Sequence, residues 1–124
     1  MKDGYQGNSS LKKPGINIKY TQEQLVEITK CIKDPVYFIK TYVKIVNVDL
    51  GLIPFNMWPF QEEMVHGFHI NRFSICKMPR QVGKTTTVVG YMLWSVLFQD
   101  DYKIAILANK GDLARDILGR IQYA

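Results

Sequence analysis

The sequence predicts an α/β fold in which a parallel sheet is flanked by helices. Two short segments with β-compatible apolar residues, 72–77 and 103–108, are predicted strands. Each is followed by a segment with helical spacing of its apolar residues, from about 84 to 98 and from about 112 onward. Because strand and helix alternate along the chain, the two strands are expected to be parallel. Such sheets usually have more strands than two, so we expect the 124 residues to supply only part of the domain.

Two helices are predicted ahead of these elements. Thr21 and Gln24 have the spacing of a capping box, which begins the first helix. Asp34 and Pro35 then restart the chain as the N-cap and the first helical residue of a second helix. Its apolar stripe predicts that this helix ends near Asn47.

The rest of the N-terminal half is predicted from composition and from proline positions. Residues 49–55 are expected to be an extended connection, and Pro59 begins a third helix that runs to about His69. Gly, Asn, Ser, Lys and Pro dominate the first residues, which predicts a flexible arm. The chain is therefore divided into an arm, a helical segment and an α/β part, which cover residues 1–19, 20–56 and 57–124.

Composition limits the function classes. The net charge of +5, from 16 Lys and Arg against 11 Asp and Glu, suits a polyanionic partner. The basic residues are spread along the chain, so they predict no DNA-binding stripe. The longest apolar stretch, residues 88–98, is shorter than the ~20 residues that span a bilayer, and we expect a protein that is neither secreted nor membrane-bound. Cys31 and Cys76 lack C-x-x-C spacing and are predicted to be reduced core thiols.

Residues 78–85, with the sequence Met-Pro-Arg-Gln-Val-Gly-Lys-Thr, resemble a phosphate-binding loop between a strand and a helix. The usual pattern has a glycine where this chain has Met78. Gly83 permits the tight turn that brings backbone N–H groups to one anion. Lys84 is predicted to reach the β- and γ-phosphates of a nucleotide, and the Thr85 hydroxyl to ligate the accompanying Mg²⁺.

Two further residues are candidates for nucleotide contacts. Arg80 lies within the loop, where its charge could stabilise phosphate as an arginine finger does, although a solvent-facing arginine would have the same spacing. Gln61 begins a helix ahead of the loop, and its amide matches the N6 donor and N7 acceptor of adenine. An ordinary helix-start glutamine is the alternative.

Other chemistry-bearing residues are assigned to structure. His66 and His69 lie one helical turn apart, but two histidines without a third ligand are a poor metal site. Five aromatic residues fall on helical stripes and are predicted to belong to the core: Tyr37, Phe38, Tyr42, Trp58 and Trp94.

Taken together, these motifs resemble the large terminase subunit of tailed bacteriophages, most closely its T-even-like group. In that family an Arg-Gln-x-Gly-Lys-[Ser/Thr] loop replaces the usual first glycine, so Met78 fits the pattern. The resemblance covers most of the chain after about Lys19 and is carried by Asp34-Pro35-Val36-Tyr37-Phe38 with Tyr42, Phe60-Gln61, Pro79-Arg80-Gln81-Val82-Gly83-Lys84-Thr85-Thr86 and Ile106-Leu107-Ala108-Asn109-Lys110-Gly111.

The resemblance implies a RecA/ASCE-like P-loop ATPase that drives double-stranded viral DNA into a procapsid. It implies ATP and Mg²⁺ as cofactors, and as partners the portal protein, the small terminase subunit and further copies in a homo-oligomeric ring. The protein would act in the host cell cytoplasm while docked on the portal. By resemblance, Arg80 and Lys84 act on the phosphates, Thr85 binds Mg²⁺, and the nucleotide-binding set is Gln61, Arg80, Gln81, Val82, Gly83, Lys84, Thr85 and Thr86.

The family's Asp-Glu catalytic pair, its coupling motif and its nuclease domain have no counterpart in these residues. We therefore expect a full-length ATPase whose portion represented here hydrolyses ATP inefficiently by itself. Two alternatives stay open. One is a superfamily 2 helicase or translocase, which shares the aromatic-Gln motif, and the other is a nucleotide-binding assembly module without catalysis.

Overall fold

The computed structural model describes Gly15 and residues 19–47 and 49–124, apart from the side chain of Tyr123. The arm predicted over residues 1–19 therefore lies, but for Gly15 and Lys19, outside the described residues. Five helices and one hairpin follow in the order α1 (Gln22–Lys33), α2 (Pro35–Tyr42), β1 (Lys44–Asn47), β2 (Gly51–Pro54), α3 (Pro59–Ile70), α4 (Lys84–Phe98) and α5 (Gly111–Tyr123).

The starts of α1 and α2 follow the capping residues that the sequence predicts. Thr21 Oγ1 accepts from the Gln24 N–H at 3.3 Å, and the Gln24 side chain accepts from the Thr21 N–H at 2.9 Å. Asp34 Oδ1 accepts from the N–H groups of Val36 and Tyr37 at 2.9 and 3.1 Å. The N–H of Asp34 still donates to the last turn of α1, so one residue joins the two helices.

The second helix is shorter than predicted, because α2 ends at Tyr42 and the chain turns into a hairpin. β1 pairs with β2 antiparallel. β-branched residues in β1 favour the strand, and Asn47 closes the turn by accepting from the N–H groups of Asp49 and Leu50 at 2.9 and 3.1 Å. Gly51 has φ 70°, a conformation that glycine adopts without steric cost. The segment predicted as helical over residues 20–56 therefore also contains this hairpin.

The predicted parallel sheet is wrong. Within the described ranges the sheet consists of β1 and β2 alone, and the chain is mostly helical. Residues 72–77 and 103–108 are irregular and form no ladder with each other. Ile75 is 99% exposed and Leu107 91% exposed. A pattern of alternating apolar residues shows that a segment is suited to a strand. A strand also needs a neighbouring strand to which it can hydrogen-bond, and these two segments have none in the described part of the chain.

Helices α2, α3 and α4 enclose the core. Ile39 from α2 and Val65 from α3 are fully buried, and Trp94 from α4 is 2% exposed. The Trp94 indole N–H donates to the carbonyl of Cys31 at 2.7 Å, which joins α4 to α1. Gly90 lets α4 approach α2 closely, since a Cβ there would lie 3.3 Å from two carbons of Ile39. This packing fixes the positions of α3 and α4, the two helices beside the phosphate loop.

Glu27 in α1 also joins α1 to α2, because its carboxylate accepts hydrogen bonds from two tyrosines of α2. The hydroxyls of Tyr37 and Tyr42 donate to Glu27 Oε1 at 2.7 and 3.0 Å. These bonds, with the one from Tyr37 first, lower the pKa of Glu27 below its ordinary range. The same bonds raise the pKa of both tyrosines.

Several predicted core residues lie elsewhere. Phe38 and Trp94 are buried as predicted, whereas Tyr42 is about half exposed and Trp58 is 67% exposed. Cys31 is a buried free thiol, but Cys76 is exposed in the irregular segment ahead of the loop. Position on a helical stripe was a poor guide for Trp58 because this residue is the N-cap of α3 and precedes its first turn. Among the described residues no helix is both long and apolar enough to cross a membrane.

Candidate phosphate-binding loop

The loop ahead of α4 contains two residues in the left-handed conformation. Gln81 has φ 63° and Gly83 has φ 74°, with Val82 between them. Alternation between left-handed and other conformations turns successive N–H groups toward one concave side, the arrangement called an anion-binding nest. A left-handed glutamine costs about 1–2 kcal/mol. Strain of this kind is found more often at functional sites than elsewhere, although Asp101, in the turn after α4, also has a positive φ of 53°.

The N-terminus of α4 faces this turn without a side-chain cap. Gly83 is the N-cap residue and provides no side-chain hydrogen bond, and the first turn contains no acidic residue. The first N–H groups of a helix have no intrahelical acceptors, and they carry the positive end of the helix dipole. An anion bound at the loop would therefore accept hydrogen bonds from these N–H groups and lie at the positive end of the dipole.

Lys84 folds back over the loop. Its ammonium group donates to the carbonyl oxygen of Met78 at 3.0 Å and to that of Pro79 at 2.7 Å. Met78, which stands where the usual pattern has a glycine, therefore contributes a backbone carbonyl that accepts from Lys84. A phosphate would exchange these neutral acceptors for charged ones, which make stronger hydrogen bonds to an ammonium group.

Gln61 lies against the loop. Its side chain is 3% exposed, its Nε2 donates to the Val82 carbonyl at 3.1 Å, and its Oε1 accepts from the Trp58 N–H at 2.9 Å. A Cβ on Gly83 would lie 2.6 Å from Gln61 Nε2. Gln61 therefore connects the start of α3 to the loop, while its reading of adenine stays a prediction.

A cavity of about 410 Å³ adjoins the loop. Trp58 and Phe60 are among its aromatic lining residues, and Gln81, Val82 and Gly83 contribute the loop. Gln61 lines the same space, together with Ile45, Phe55, Asn56 and Thr86. The volume is within the range of about 300–1,000 Å³ that is typical of small-molecule sites.

The remaining predicted site residues lie around the helix start. Arg80 and Thr85 are exposed, and Arg80 takes part in none of the ion pairs formed within the described ranges. Thr86 is half-buried and lines the cavity. Sequence reasoning overlooked Thr87, which is fully buried and donates its hydroxyl to the Gly83 carbonyl at 3.0 Å. A threonine four residues after the turn glycine was the signal, since such residues bond back to the preceding turn.

Metal ligands are sparse around the loop. No cluster of three or more His, Cys, Asp and Glu side chains suited to a metal ion occurs in residues 19–47 and 49–124. His69 packs edge-on against Trp94 with ring centres 5.2 Å apart. A Mg²⁺ ion here would be held by the Thr85 hydroxyl and by oxygens of the nucleotide itself.

Compared with models of known protein families, the chain matches none. Its candidate function therefore depends on the residues and geometry of the loop and on the motif resemblance described above.

Proposed function

We propose that the chain binds ATP through the loop at residues 78–85. We further propose that it is the ATP-binding part of a DNA-packaging motor of the large-terminase kind. The observation that carries the first statement is the left-handed pair Gln81 and Gly83 directly ahead of an uncapped helix start, with the Lys84 ammonium beside it. Backbone donors, a helix dipole and a mobile positive charge together form a phosphate-binding donor set.

Each side chain has a role that suits its position. Lys84 exchanges the carbonyls of Met78 and Pro79 for phosphate oxygens, and the Thr85 hydroxyl is a ligand for Mg²⁺. Arg80 is exposed in the loop and supplies a second charge to the phosphates. The bound nucleotide supplies the phosphoanhydride bond whose cleavage drives a motor. Gln61 holds the loop against α3 while the phosphates are bound.

The motor assignment is supported by the sequence resemblance and by the net charge of +5, which suits a polyanion. On this proposal the partners are double-stranded DNA, a portal protein, a small terminase subunit and further copies of the chain in a ring. The place of action is the host cytoplasm at a procapsid portal.

A nucleotide-binding module without efficient hydrolysis is the second candidate. It is favoured by the sequence described here, in which the Asp-Glu catalytic pair has no counterpart. Water activation and metal binding in ATPases ordinarily need carboxylates. We therefore expect ATP binding with little turnover.

Equilibrium dialysis with radiolabelled ATP and Mg²⁺ tests the binding. We expect saturable binding that weakens by tenfold or more in Lys84→Ala, because a charge-assisted contact is lost, about 1.4 kcal/mol for each factor of ten. Lys110→Ala, at the N-cap of α5, is the matched control and should bind as the unchanged protein does. Absence of saturable binding, or binding equal in Lys84→Ala, would overturn the proposal.

Phosphate release separates the two candidates. We expect the same preparation to release phosphate no faster than Lys84→Ala. Rapid Mg²⁺-dependent turnover that Lys84→Ala abolishes would show an efficient ATPase and remove the second candidate.

A further inference from the structure

A separate cavity lies between α1, α2 and the end of α4. Its volume is about 310 Å³, and among the described residues it shares no lining residue with the cavity beside the phosphate loop. Four of its lining residues are aromatic, namely Tyr20, Phe38, Tyr42 and Phe98. This aromatic cavity has no part in the nucleotide site proposed above.

Side-chain contacts place three of these rings next to one another. The ring of Phe38 stacks on that of Tyr42 with ring centres 5.9 Å apart, and the ring of Phe98 meets it edge-on at 5.2 Å. Phe38 is buried, Phe98 is half-buried and Tyr42 is about half exposed. The rings therefore hold one another in position at a cavity that solvent can reach.

The charge of the lining is negative. Glu27 lines the aromatic cavity, and none of the lining residues in the described part of the chain is Lys, Arg or His. The hydroxyls of Tyr37 and Tyr42 donate to Glu27 Oε1, which lowers the pKa of Glu27 and keeps it charged. Lys30 Nζ lies 3.6 Å from Glu27 Oε2, but the Lys30 side chain is 58% exposed, so water screens this ion pair. In a chain with a net charge of +5, this cavity is suited to a cation.

The hydrogen-bond acceptors at the aromatic cavity favour a cation that donates no hydrogen bonds. Glu27 Oε1 already accepts two, and Gln24 Oε1 accepts from the Thr21 N–H at 2.9 Å. The Cys31 carbonyl accepts from the Trp94 indole at 2.7 Å. A primary ammonium group has three N–H donors to satisfy, whereas a quaternary ammonium group has none and is attracted to aromatic faces.

We propose that the aromatic cavity binds a free quaternary ammonium compound of about the size of choline. The rings of Phe38, Tyr42 and Phe98 attract it through cation–π interactions, and the carboxylate of Glu27 attracts it through its charge. The cavity volume of about 310 Å³ is within the range of about 300–1,000 Å³ that is typical of small-molecule sites. Binding here is independent of ATP binding at the loop, so either proposal can fail without the other.

Isothermal titration calorimetry with choline and with 3,3-dimethyl-1-butanol tests the charge requirement. The alcohol has a carbon atom in place of the nitrogen, so the two probes share a shape and differ in charge. We expect saturable binding of choline that is about tenfold or more tighter than that of the alcohol. Glu27→Gln should weaken choline binding by about fivefold or more and leave the alcohol within about twofold.

Two further variants separate charge at the cavity from other effects. Glu23→Gln makes the same charge change in the exposed first turn of α1, outside the cavity, and should bind choline as the unchanged protein does. Phe98→Leu keeps an apolar side chain without a π-face, and it should weaken choline binding by about two- to thirtyfold and alcohol binding by less. Circular dichroism checks folding, and the comparison of Glu27→Gln with Glu23→Gln decides the question if Phe98→Leu does not fold.

Several outcomes would overturn the inference. They are an absence of saturable choline binding, equal binding of the two probes, and equal weakening of choline by Glu23→Gln and Glu27→Gln. A merely structural role of Glu27 in joining α1 to α2 would weaken both probes alike in Glu27→Gln, which also counts against the inference. A peptide containing trimethyllysine tests the source of the cation, and its binding more tightly than choline would overturn the assignment to a free compound.

Discussion

The two tryptophans of this chain lie in opposite surroundings. Trp94 is 2% exposed, donates to the Cys31 carbonyl at 2.7 Å and stacks on Tyr91 with ring centres 5.6 Å apart. Trp58 is 67% exposed and lines a cavity beside the phosphate loop. In the core, the indole N–H of Trp94 is hydrogen-bonded and its ring is buried. At the cavity beside the loop, by contrast, most of the surface of Trp58 is exposed to water.

On the proposed function, the difference separates residues that stabilise the fold from residues that would contact a ligand. Regions that carry buried apolar contacts open last, and ligand-binding segments come from the less stable end of a structure. Here the loop also contains a left-handed glutamine at position 81, which costs free energy that the helical core must offset. We expect substitutions in the core to alter the free energy of unfolding, and substitutions at the cavity beside the loop to alter the proposed binding of ATP.

The largest effect expected is from truncation in the core. Trp94→Ala should lower the free energy of unfolding by about 3–5 kcal/mol, because a large buried side chain and its hydrogen bond are lost. Trp58→Ala should change it by less than about 0.5 kcal/mol. Urea unfolding followed by far-ultraviolet circular dichroism measures both. If Trp94→Ala does not fold, Trp94→Phe gives the comparison, and equal effects at the two positions would contradict it.

A smaller effect is expected where the core meets the loop. Gly83→Ala should cost about 1–3 kcal/mol, because φ 74° is unfavourable for alanine and the new Cβ would lie 2.6 Å from Gln61 Nε2. In a Gln61→Ala background the clash disappears, and only the backbone cost of about 1–2 kcal/mol should remain. A double-mutant cycle measured by urea unfolding checks this coupling. Additive effects would mean that Gln61 does not hold the loop.

The smallest effect expected is on how the free energy of unfolding depends on pH through Glu27 in α1. The pKa of Glu27 is lowered in the folded chain from an ordinary 4.5, chiefly by the Tyr37 hydroxyl and next by that of Tyr42. The folded state therefore favours the carboxylate, so this stabilisation is complete above about pH 4.5 and is lost as the pH falls through the lowered value.

Glu27→Gln is the variant that checks this linkage. The difference in unfolding free energy between the unchanged protein and Glu27→Gln should shrink as the pH is lowered below about 4.5. Glu23→Gln, in the exposed first turn of α1, is the matched control. A difference that stays constant with pH would mean that the two phenols do not favour the charged form of Glu27.

Local signals were sufficient to predict where the helices begin, although not where the second one ends. Thr21 with Gln24 and Asp34 with Pro35 define helix starts through hydrogen bonds made within a few residues, and the structure contains each of them. The start of α4 at Lys84 followed from the turn glycine in the same way. These predictions required nothing beyond neighbouring residues.

The pairing of strands and the exposure of their side chains could not be predicted from local patterns. Ile75 and Leu107 have the side chains of buried strands, yet they are 99% and 91% exposed, since strand formation depends on a distant partner. For the site, the sequence predicted that Gln61 belongs with the loop. It did not indicate that the Gln61 amide is bonded to Val82, which depends on how α3 packs beside the loop.

The two free cysteines differ in a way that has a practical consequence. Burial raises the pKa of the Cys31 thiol, which keeps it in its unreactive protonated form, while Cys76 is exposed two residues ahead of Met78. A maleimide dye should therefore attach at Cys76 without any mutation to remove Cys31. The unaltered chain thus has a natural attachment point for a spectroscopic probe beside the candidate phosphate-binding loop.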